Sequence, residues 1–415
     1  MKNRTVLVSG AGIAGPALAF WLHRHGFVPT VVEASPARRP GGQTVDLRGA
    51  GRTVVERMGL MSAVRAACVD QRGVAYVDAT GRRLAEMSVD SLDGVGIVSE
   101  IEIQRGDLAD VLADATGDDV EYLFGLRVTA LEERADDVEV TFSDGTVRPF
   151  DLVVGADGPH SGIRALAFGP EETMTRPLGG YMAWFTATDH AGLDGWFTMY
   201  NEPGLVASMR PDRNPGRMKA GLSFLSEPLT YDRRDLAAQR RLVADRFTDS
   251  AGPAPDLVAA MAGADDFYLD AMLQVHLDRW SAGRVVLIGD AGYCPSPLTG
   301  MGTSLALVGA YVLAGELARA DGDHDRAFAA YEERMRPYVR QGQELPPGGM
   351  EGYAPRTRLA IRLRVLSMRL MITRPLKGLA KKMFFSKADA IDLPDYAVMA
   401  AERGAPRGQA WRSSV

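Results

Sequence analysis

The sequence has few cysteines, few histidines and no long apolar run. Its 415 residues include two cysteines, Cys68 and Cys294, which lie far apart and form no CxxC pair. This excludes a disulfide framework and is typical of a reducing, cytoplasmic compartment. The six histidines form no HExxH or similar cluster, so no metal site is predicted. No stretch approaches the roughly 18 consecutive apolar residues of a membrane span, and no signal peptide is expected.

Other classes of protein are excluded by charge and by missing motifs. The 53 acidic and 47 basic residues give a net charge of −6, which does not favour nucleic acid as a partner. No GxSxG elbow and no P-loop are present, which excludes the chemistries that depend on them. Hydrophobic residues make up 46% of the chain, as in ordinary globular proteins, and the length predicts about two or three domains.

Positive charge is concentrated near the C-terminus. Ten Lys or Arg and no acidic residue lie from Arg356 to Lys387. Four leucines recur there at i, i+4, i+7 and i+11, a helical spacing, while three arginines share another face: Leu359, Leu363, Leu366 and Leu370, with Arg358, Arg362 and Arg369. One interpretation is a membrane-surface helix or a lid over an anionic ligand. The other, which we expect, is a helix packed on an acidic body with its leucines buried.

The N-terminus contains the first chemical motif. A predicted buried strand, Thr5–Ser9, runs into Gly10-Ala11-Gly12-Ile13-Ala14-Gly15 and then a helix, and a second strand ends at Glu33. This context is that of a dinucleotide fingerprint. The glycines allow the backbone to approach a pyrophosphate, the helix N-terminus attracts the anion, and Glu33 can accept from ribose hydroxyls. The motif alone does not distinguish NAD from FAD.

Two later motifs favour FAD. They are DLVVGADGPHSGIR, which ends at Arg164, and GDAGYCPSPLTGMGT, which begins at Gly289 and again lies between a strand and a helix. In the second, Asp290 can accept from a polyol, and Pro297 offers a rigid apolar wall. Gly300 and Gly302 allow backbone N–H groups to approach a ring carbonyl. With Glu33 at the adenosine end, one ligand must span both turns, and FAD has that length and a ribityl chain.

Together the three motifs resemble those of the group A flavoprotein monooxygenases, whose founding type is para-hydroxybenzoate hydroxylase. Within that family the sequence is most similar to the branch of tetracycline-inactivating and antibiotic-tailoring enzymes. The resemblance covers residues 1 to about 340. It implies an α/β fold in which a Rossmann-type FAD-binding domain (1–72, 97–172 and 268–344) contains an inserted antiparallel β-sheet substrate domain (73–96 and 173–267). A C-terminal bridging helix and tail (345–415) would follow.

The resemblance also implies cofactor contacts. The glycines of the first motif would hold the pyrophosphate, Glu33 the ribose and Arg105 the ribose and phosphate region, while Asp157 and Arg164 are linked to both FAD and the nicotinamide. The full set of implied FAD contacts is Gly10, Gly12, Ile13, Ala14, Gly15, Glu33, Ala34, Gln43, Asp46, Arg48, Arg105, Leu126, Asp157, Arg164, Asp290, Pro297, Gly300, Met301, Gly302 and Thr303. Tyr293 replaces the family's common histidine and Met301 its common glutamine, so a proton relay through that histidine is not transferred to this chain.

The implied activity is hydroxylation of a small molecule. No second GxGxxG is present, so NADPH or NADH is expected to visit transiently, and O2 would react with the reduced flavin to give a C4a-hydroperoxyflavin. The expected substrate is aromatic or polycyclic, resembling an antibiotic or polyketide. A flavin-dependent dehydrogenase or reductase and a drug-sequestering flavoprotein remain open. A flavin halogenase is not favoured, because its Trp-x-Trp-x-Ile-Pro pattern is absent.

The short runs between residues 173 and 228, separated by Gly, Pro, Asn and Asp, predict an antiparallel sheet. The resemblance implies that this middle sheet covers the flavin and forms the substrate pocket. Candidate pocket residues are Met182, Trp184, Phe197, Arg210, Phe224, Pro297 and Met350. The alternative for each apolar residue is that it packs in the core of the sheet and does not contact a substrate. No catalytic residue is assigned, because the chemistry is expected to be carried by the flavin. Arg210 is the candidate for a catalytic role, with the alternative of a solvated strand end. The chain is expected to be a cytoplasmic monomer or homodimer.

Overall fold

The structure, a computed structural model, describes residues 2–39, 41–92, 101–371 and 390–396. Its strands are β1 (Thr5–Ser9), β2 (Val28–Glu33), β3 (Thr44–Asp46), β4 (Gly73–Val77), β5 (Arg83–Ser88), β6 (Glu102–Gln104), β7 (Glu121–Phe124), β8 (Val128–Glu133), β9 (Val138–Phe142), β10 (Val147–Phe150), β11 (Leu152–Gly155), β12 (Thr175–Thr188), β13 (Trp196–Glu202), β14 (Leu205–Pro211), β15 (Arg217–Leu225), β16 (Tyr268–Val275), β17 (Ser281–Ala282) and β18 (Val285–Leu287). Its α-helices are α1 (Ala14–Arg24), α2 (Gly49–Met58), α3 (Met61–Ala66), α4 (Arg105–Asp114), α5 (Gly162–Phe168), α6 (Leu236–Arg246), α7 (Ala254–Ala262), α8 (Asp290–Tyr293), α9 (Gly302–Arg319), α10 (His324–Gly342), α11 (Gly349–Tyr353) and α12 (Arg358–Met371).

A largely parallel sheet forms the first body. In the described residues it has six strands in the order β17-β18-β11-β1-β2-β7, antiparallel only between β17 and β18. Val6, Leu7 and Val8 of β1 are fully buried, because helices and a second small sheet cover both faces and leave no solvent side. Helix α9 is apolar around its circumference and almost wholly buried. The predicted α/β fold class is confirmed, with β1 and β2 where the sequence predicted them.

A mixed sheet forms the second body. Its seven described strands follow the order β16-β12-β15-β14-β13-β4-β5, and only the β13–β4 pair is parallel. Side chains alternate between its two faces. Tyr181 and Phe185 pack beneath α6 and α7, whereas Met182 and Trp184 lie on the other face. We call this second face the inner face, since it is turned towards the turn at Pro297. The antiparallel strands predicted for residues 173–228 are confirmed.

The C-terminal helices contain a correction. Leu359, Leu363, Leu366 and Leu370 of α12, the leucine stripe, are 66%, 56%, 49% and 46% exposed, so the prediction that they are buried is wrong. The helix instead packs Val365 and Met368 against the seven-stranded sheet. Apolar residues recur on two opposite sides of this helix, but only the side with Val365 and Met368 packs against the described protein.

The chain then returns to the first body. Within residues 390–396, Tyr396 is buried against α9, and its hydroxyl donates to Glu316 Oε1 at 2.7 Å. Arg57 of α2 donates to Pro394 O at 2.7 Å. The remainder of the predicted tail, residues 372–389 and 397–415, lies outside the described residues, and the predicted domain boundaries stay predictions. No helix in the described ranges is long and apolar enough to cross a membrane.

Candidate cofactor and substrate site

The first glycine turn packs directly on the loop that follows β11. Gly10 has φ +109°, and a Cβ atom added to it would lie 2.5 Å from the carbonyl oxygen of Ala156. A Cβ atom on Gly15 would overlap the carbonyl oxygen of Gly10. Both positions therefore require glycine, one for its backbone conformation and one for close packing. The turn is thereby held at the N-terminus of α1, which begins at Ala14, one residue after Ile13.

Glu33 closes this turn from the end of β2. Its Oε2 accepts from the Ala11 N–H at 2.9 Å and its Oε1 from the Ser35 N–H at 2.8 Å. Each carboxylate oxygen has further lone-pair capacity for a ribose hydroxyl. Leu126, whose N–H donates to the main-chain oxygen of Glu33 at 3.2 Å, and the exposed Ala34 lie at the same end of β2. Glu33, Ala34 and Leu126 of the predicted set are therefore brought together.

Asp157 and Arg164 have partners inside the protein. Asp157 accepts from Ser161 Oγ and, at 2.8 Å, from the Gly162 N–H at the start of α5. The Arg164 guanidinium is completely buried and donates to Pro159 O at 2.6 Å and to Ala291 O at 2.9 Å. These bonds join the loop after β11 to the second glycine turn. Asp157 also borders the first glycine turn, since a Cβ atom added to Gly10 would lie 2.8 Å from Asp157 Cα. The predicted link of the two residues to FAD and the nicotinamide stays a prediction.

The second glycine turn faces the first across Arg105. A Cβ atom on Gly12 would lie 3.2 Å from Arg105 Nη2, and one on Gly302 would lie 3.9 Å from Asp290 Oδ1. Burial raises the pKa of Asp290, and the nearby charge of Arg105 only partly offsets this. A carboxylate, a guanidinium and two glycine backbones from separate parts of the sequence thus border one another.

The remaining residues of the second turn fall into two groups, those that are exposed and those that pack in the core. Pro297 and Gly300 are exposed, and Gly302 and Thr303 begin α9. The Met301 side chain is 5% exposed and packs in the core of the first body, so only its backbone is available to a ligand. Tyr293 is likewise core: its hydroxyl lies 2.9 Å from the Tyr331 hydroxyl, and burial raises its pKa to about 12.

The Gln43–Arg48 segment lies where the two glycine turns and Arg105 meet, a region that we call the border. Gln43 O accepts from the Arg105 N–H at 3.0 Å. Arg48 Nη2 lies 2.6 Å from Asp46 Oδ2, and a Cβ atom on Gly300 would lie 3.7 Å from that same oxygen. The segment therefore contacts both Arg105 and the second turn.

Glu102 is a member of this group that the sequence reasoning missed. It is completely buried on β6, directly opposite Asp46 of β3. Arg210 Nη1 lies 3.5 Å from Glu102 Oε2 and donates to Thr44 O at 3.3 Å. Burial alone would raise the pKa of Asp46, but Arg48, Glu102 and Arg210 outweigh it and lower the pKa. The available signal was a glutamate between two isoleucines in a run that otherwise reads as a buried strand.

The apolar pocket candidates gather on the inner face. One cluster there contains Met182, Trp184, Phe197, Met350 and Leu298. Met350 of α11 lies against β12, since a Cβ atom on Gly180 would be 2.5 Å from its Cε. Arg210 is stacked on Phe197, with its Cζ 4.1 Å from the ring centroid. Because Leu298 adjoins Pro297, this cluster meets the second glycine turn. A second guanidinium, that of Arg364, stacks on Tyr76 of the same cluster, with its Cζ 4.7 Å from the ring centroid.

Phe224 is a correction to this set. In the β12–β15 register it lies opposite Tyr181, on whose ring it stacks with a centroid distance of 5.6 Å. It is fully buried among residues of α6 and α7. The structure therefore places it on the face of the sheet that is turned away from the other pocket candidates, because neighbours along a strand alternate between faces.

This difference of face leads to a prediction. Phe224→Ala should lower the free energy of unfolding by roughly 3–5 kcal/mol, because it empties a packed aromatic site, without changing which compounds bind. Met182→Ala, on the inner face, should cost roughly 2–5 kcal/mol and also shift ligand preference. Urea unfolding and ligand titration of both variants would check this. An altered ligand preference in Phe224→Ala alone would contradict the assignment of faces.

The residues present fit an FAD molecule. The gap between Gly12 and Arg105 is one that an added Cβ would fill, and Asp290 lies beside Gly302 at the far end. Within the described chain, the buried atoms Thr44 Oγ1, Gln104 Nε2 and Arg210 Nε have no hydrogen-bond partner in the protein, and all three residues belong to the same border. A ligand with phosphate, polyol and ring carbonyl groups would supply partners along this line.

Comparisons with known proteins show what the chain is similar to. The family described as "FAD binding domain" matches residues 3–344. The Flavin-dependent monooxygenase of Legionella longbeachae serogroup 1 (strain NSW150) is 38% identical, over 83% of this chain and 88% of its own. FAD-dependent monooxygenase asL6 of Sarocladium schorii is 33% identical, over 94% and 97%. The crystal structure of tetracycline destructase Tet(51) superposes with a TM-score of 0.80 at 34% identity, over 95% of this chain and 100% of that one.

Proposed function

The chain belongs to the FAD-binding-domain family and is a FAD-dependent monooxygenase, and from this premise we propose the rest of its function. It uses NADPH or NADH and O2 to hydroxylate an aromatic or polycyclic small molecule of antibiotic or polyketide type. The observation that carries the proposal is the inner-face cluster, in which an apolar wall and the guanidinium of Arg210, stacked on Phe197, lie beside the turn at Pro297.

The chemistry of this wall supports a flat, largely apolar substrate with a polar edge. Methionine and aromatic side chains offer adaptable, polarizable contacts to rings. Arg210 Nε is buried and has no partner in the described protein, so this group would fit a phenolate, enolate or carbonyl oxygen. The likeness to tetracycline destructase Tet(51) supports a polycyclic substrate of that size.

The protein's part in the reaction is binding, orientation and exclusion of water. When bound, FAD would accept a hydride from the nicotinamide and activate O2. The glycine turns, Glu33, Arg105 and Asp290 would hold the cofactor by its pyrophosphate, ribose and ribityl groups. The cluster of Met182, Phe197 and their neighbours would keep water from the reacting atoms. Arg210, held by Glu102, would fix the orientation of the substrate.

A turnover assay tests this proposal. Purified protein with FAD is given NADPH or NADH and a panel of phenols, polyketides and tetracyclines, and nicotinamide oxidation, O2 consumption and product mass are followed. We expect a substrate to stimulate nicotinamide oxidation and to gain one oxygen atom. Reduction of dyes without oxygen incorporation would indicate a reductase. Tight binding of a compound that is recovered unchanged would indicate sequestration.

Arg210→Gln provides a sharper test of orientation. It should raise KM for the best substrate by roughly 10-fold or more, since a charged hydrogen bond is worth about 1.5–3 kcal/mol, and leave the FAD dissociation constant unchanged. Arg217→Gln, at an exposed position on the adjacent strand, is the matched control and should behave as wild type. Equal KM values for Arg210→Gln and Arg217→Gln would show that Arg210 does not contact the substrate.

A further inference from the structure

Helix α12 is apolar on two opposite faces. Val365 and Met368 face the seven-stranded sheet, where Met368 is 1% exposed. The leucine stripe faces away from it, with every member at least 46% exposed. With about 3.6 residues per turn, the stripe lies roughly half a turn around the helix from Met368. A surface helix of a globular protein ordinarily has one apolar stripe, directed to the core, so the second requires a partner outside the described protein.

The surroundings of the stripe are strongly basic. From Arg356 to Met371 there are five arginines and no acidic residue, and the sequence adds five more cations and no acid up to Lys387. Arg358, Arg362 and Arg369 lie along one flank of the stripe. Arg369 is anchored there, because its Nε donates to Leu84 O of β5 at 2.6 Å. The helix is therefore held with leucines outward and positive charge beside them.

The charges discriminate between possible partners. The 4-3-4 spacing of the stripe would suit a coiled-coil seam with a second copy. In such a pair, however, the flanking arginines would meet no acidic residue of the partner helix, so self-association gains no interhelical salt bridge. A phospholipid surface with anionic headgroups supplies both an apolar layer for the leucines and negative charge for the arginines. We propose that the leucine stripe and its flanking arginines dock this enzyme on an anionic phospholipid surface, with α12 lying in the plane of the membrane.

Vesicle sedimentation of the full-length holoenzyme tests the proposal. Phosphatidylcholine vesicles, with and without phosphatidylserine, are used at low and high NaCl concentration. Wild type should sediment with the phosphatidylserine vesicles, less so at high salt, and weakly with phosphatidylcholine alone. Leu363→Gln/Leu366→Gln should lower the partition coefficient by roughly tenfold or more, because two leucines no longer enter the apolar layer.

A matched control keeps the comparison specific. Leu166→Gln/Leu236→Gln changes two leucines that are 43% and 42% exposed on other helices, and it should partition as wild type does. Arg362→Gln should weaken binding at low salt and have little effect at high salt. Melting temperature and flavin absorbance should match wild type in all variants, since the substituted positions are exposed.

Three results would overturn the proposal. The first is a wild type that does not sediment with phosphatidylserine vesicles. The second is a stripe variant that partitions as strongly as wild type. The third is a wild type that is dimeric in analytical ultracentrifugation and becomes monomeric in the stripe variant, which would make the stripe an interface between copies. Should the stripe variant fail to fold, unchanged low-salt binding of Arg362→Gln would by itself reject the role of the arginines.

Discussion

Replacing Gly15 by alanine should abolish FAD retention and destabilise the protein by roughly 3 kcal/mol. The added Cβ would overlap the Gly10 carbonyl oxygen and approach Val8 Cγ1 to 3.5 Å. Neither neighbour can give way cheaply, because Gly10 is itself held against Ala156 and Val8 is in the centre of the sheet. Urea unfolding and flavin absorbance after gel filtration measure the two effects.

Two other glycines provide graded controls for this experiment. Gly12→Ala places its Cβ 3.2 Å from the far end of the Arg105 side chain, which can move, so it should weaken FAD binding at little cost in stability. Gly263→Ala, at the end of α7, meets nothing within 4 Å and should leave both properties unchanged. If Gly15→Ala kept wild-type stability and FAD, the packing described for the first glycine turn would be wrong.

Asp290→Asn should weaken FAD binding by roughly 10- to 100-fold, as expected for loss of a charged hydrogen bond worth about 1.5–3 kcal/mol. The same change should stabilise the FAD-free protein near neutral pH. Burial raises the pKa of Asp290 in the folded protein, so the folded state binds the proton more tightly than the unfolded state. The contribution of the wild-type Asp290 carboxyl to stability is therefore complete at low pH, where the group is protonated, and is lost as the pH rises through its pKa in the folded protein.

The pH dependence makes this second prediction specific. The stability gain of Asp290→Asn should shrink as the pH falls towards the ordinary pKa of aspartate, where the wild-type carboxyl is itself protonated. Asp118→Asn, exposed in a turn after α4, serves as the control. The measurements are FAD titration and urea unfolding of the FAD-free protein at about pH 7 and about pH 4. Wild-type FAD affinity in Asp290→Asn would show that this carboxylate does not face the cofactor.

The sequence predicted the first glycine turn well, since its signals are local. Gly10, Gly15 and Glu33 occur at spacings that a strand, a tight turn and a helix dictate, and the structure brings them together. The hairpin at Asp144-Gly145, which joins β9 to β10, is local in the same way. Such features depend on the conformation of a few successive residues, so the sequence contains most of the necessary information.

The errors concern which of two faces meets the protein. The alternation of side chains along β12 and β15 is as the sequence predicts, but it does not say which face of the sheet α6 and α7 pack on. Phe224 and Met182 could therefore not be assigned to faces from the sequence. The cross-strand register with Tyr181 decides it, and that register is a long-range property. In α12 the leucine stripe and the Val365–Met368 side are equally apolar, so periodicity could not choose between them. Glu102 was missed because its significance arises only from Asp46 and Arg210, which are distant in sequence.

The order of strands in the first body has a consequence for synthesis of the chain. β1, formed by Thr5–Ser9, is hydrogen-bonded between β2 and β11, and β11 in turn pairs with β18 near residue 285. At about 5–20 residues per second, a ribosome needs on the order of 15–60 s to deliver these partners. Until β11 is made, β1 has an unpaired edge, and from then until β18 is made the unpaired edge is that of β11. The seven-stranded sheet, most of which is made in that interval, must not pair with it. We therefore expect the nascent protein to depend on chaperones more than its finished fold would suggest.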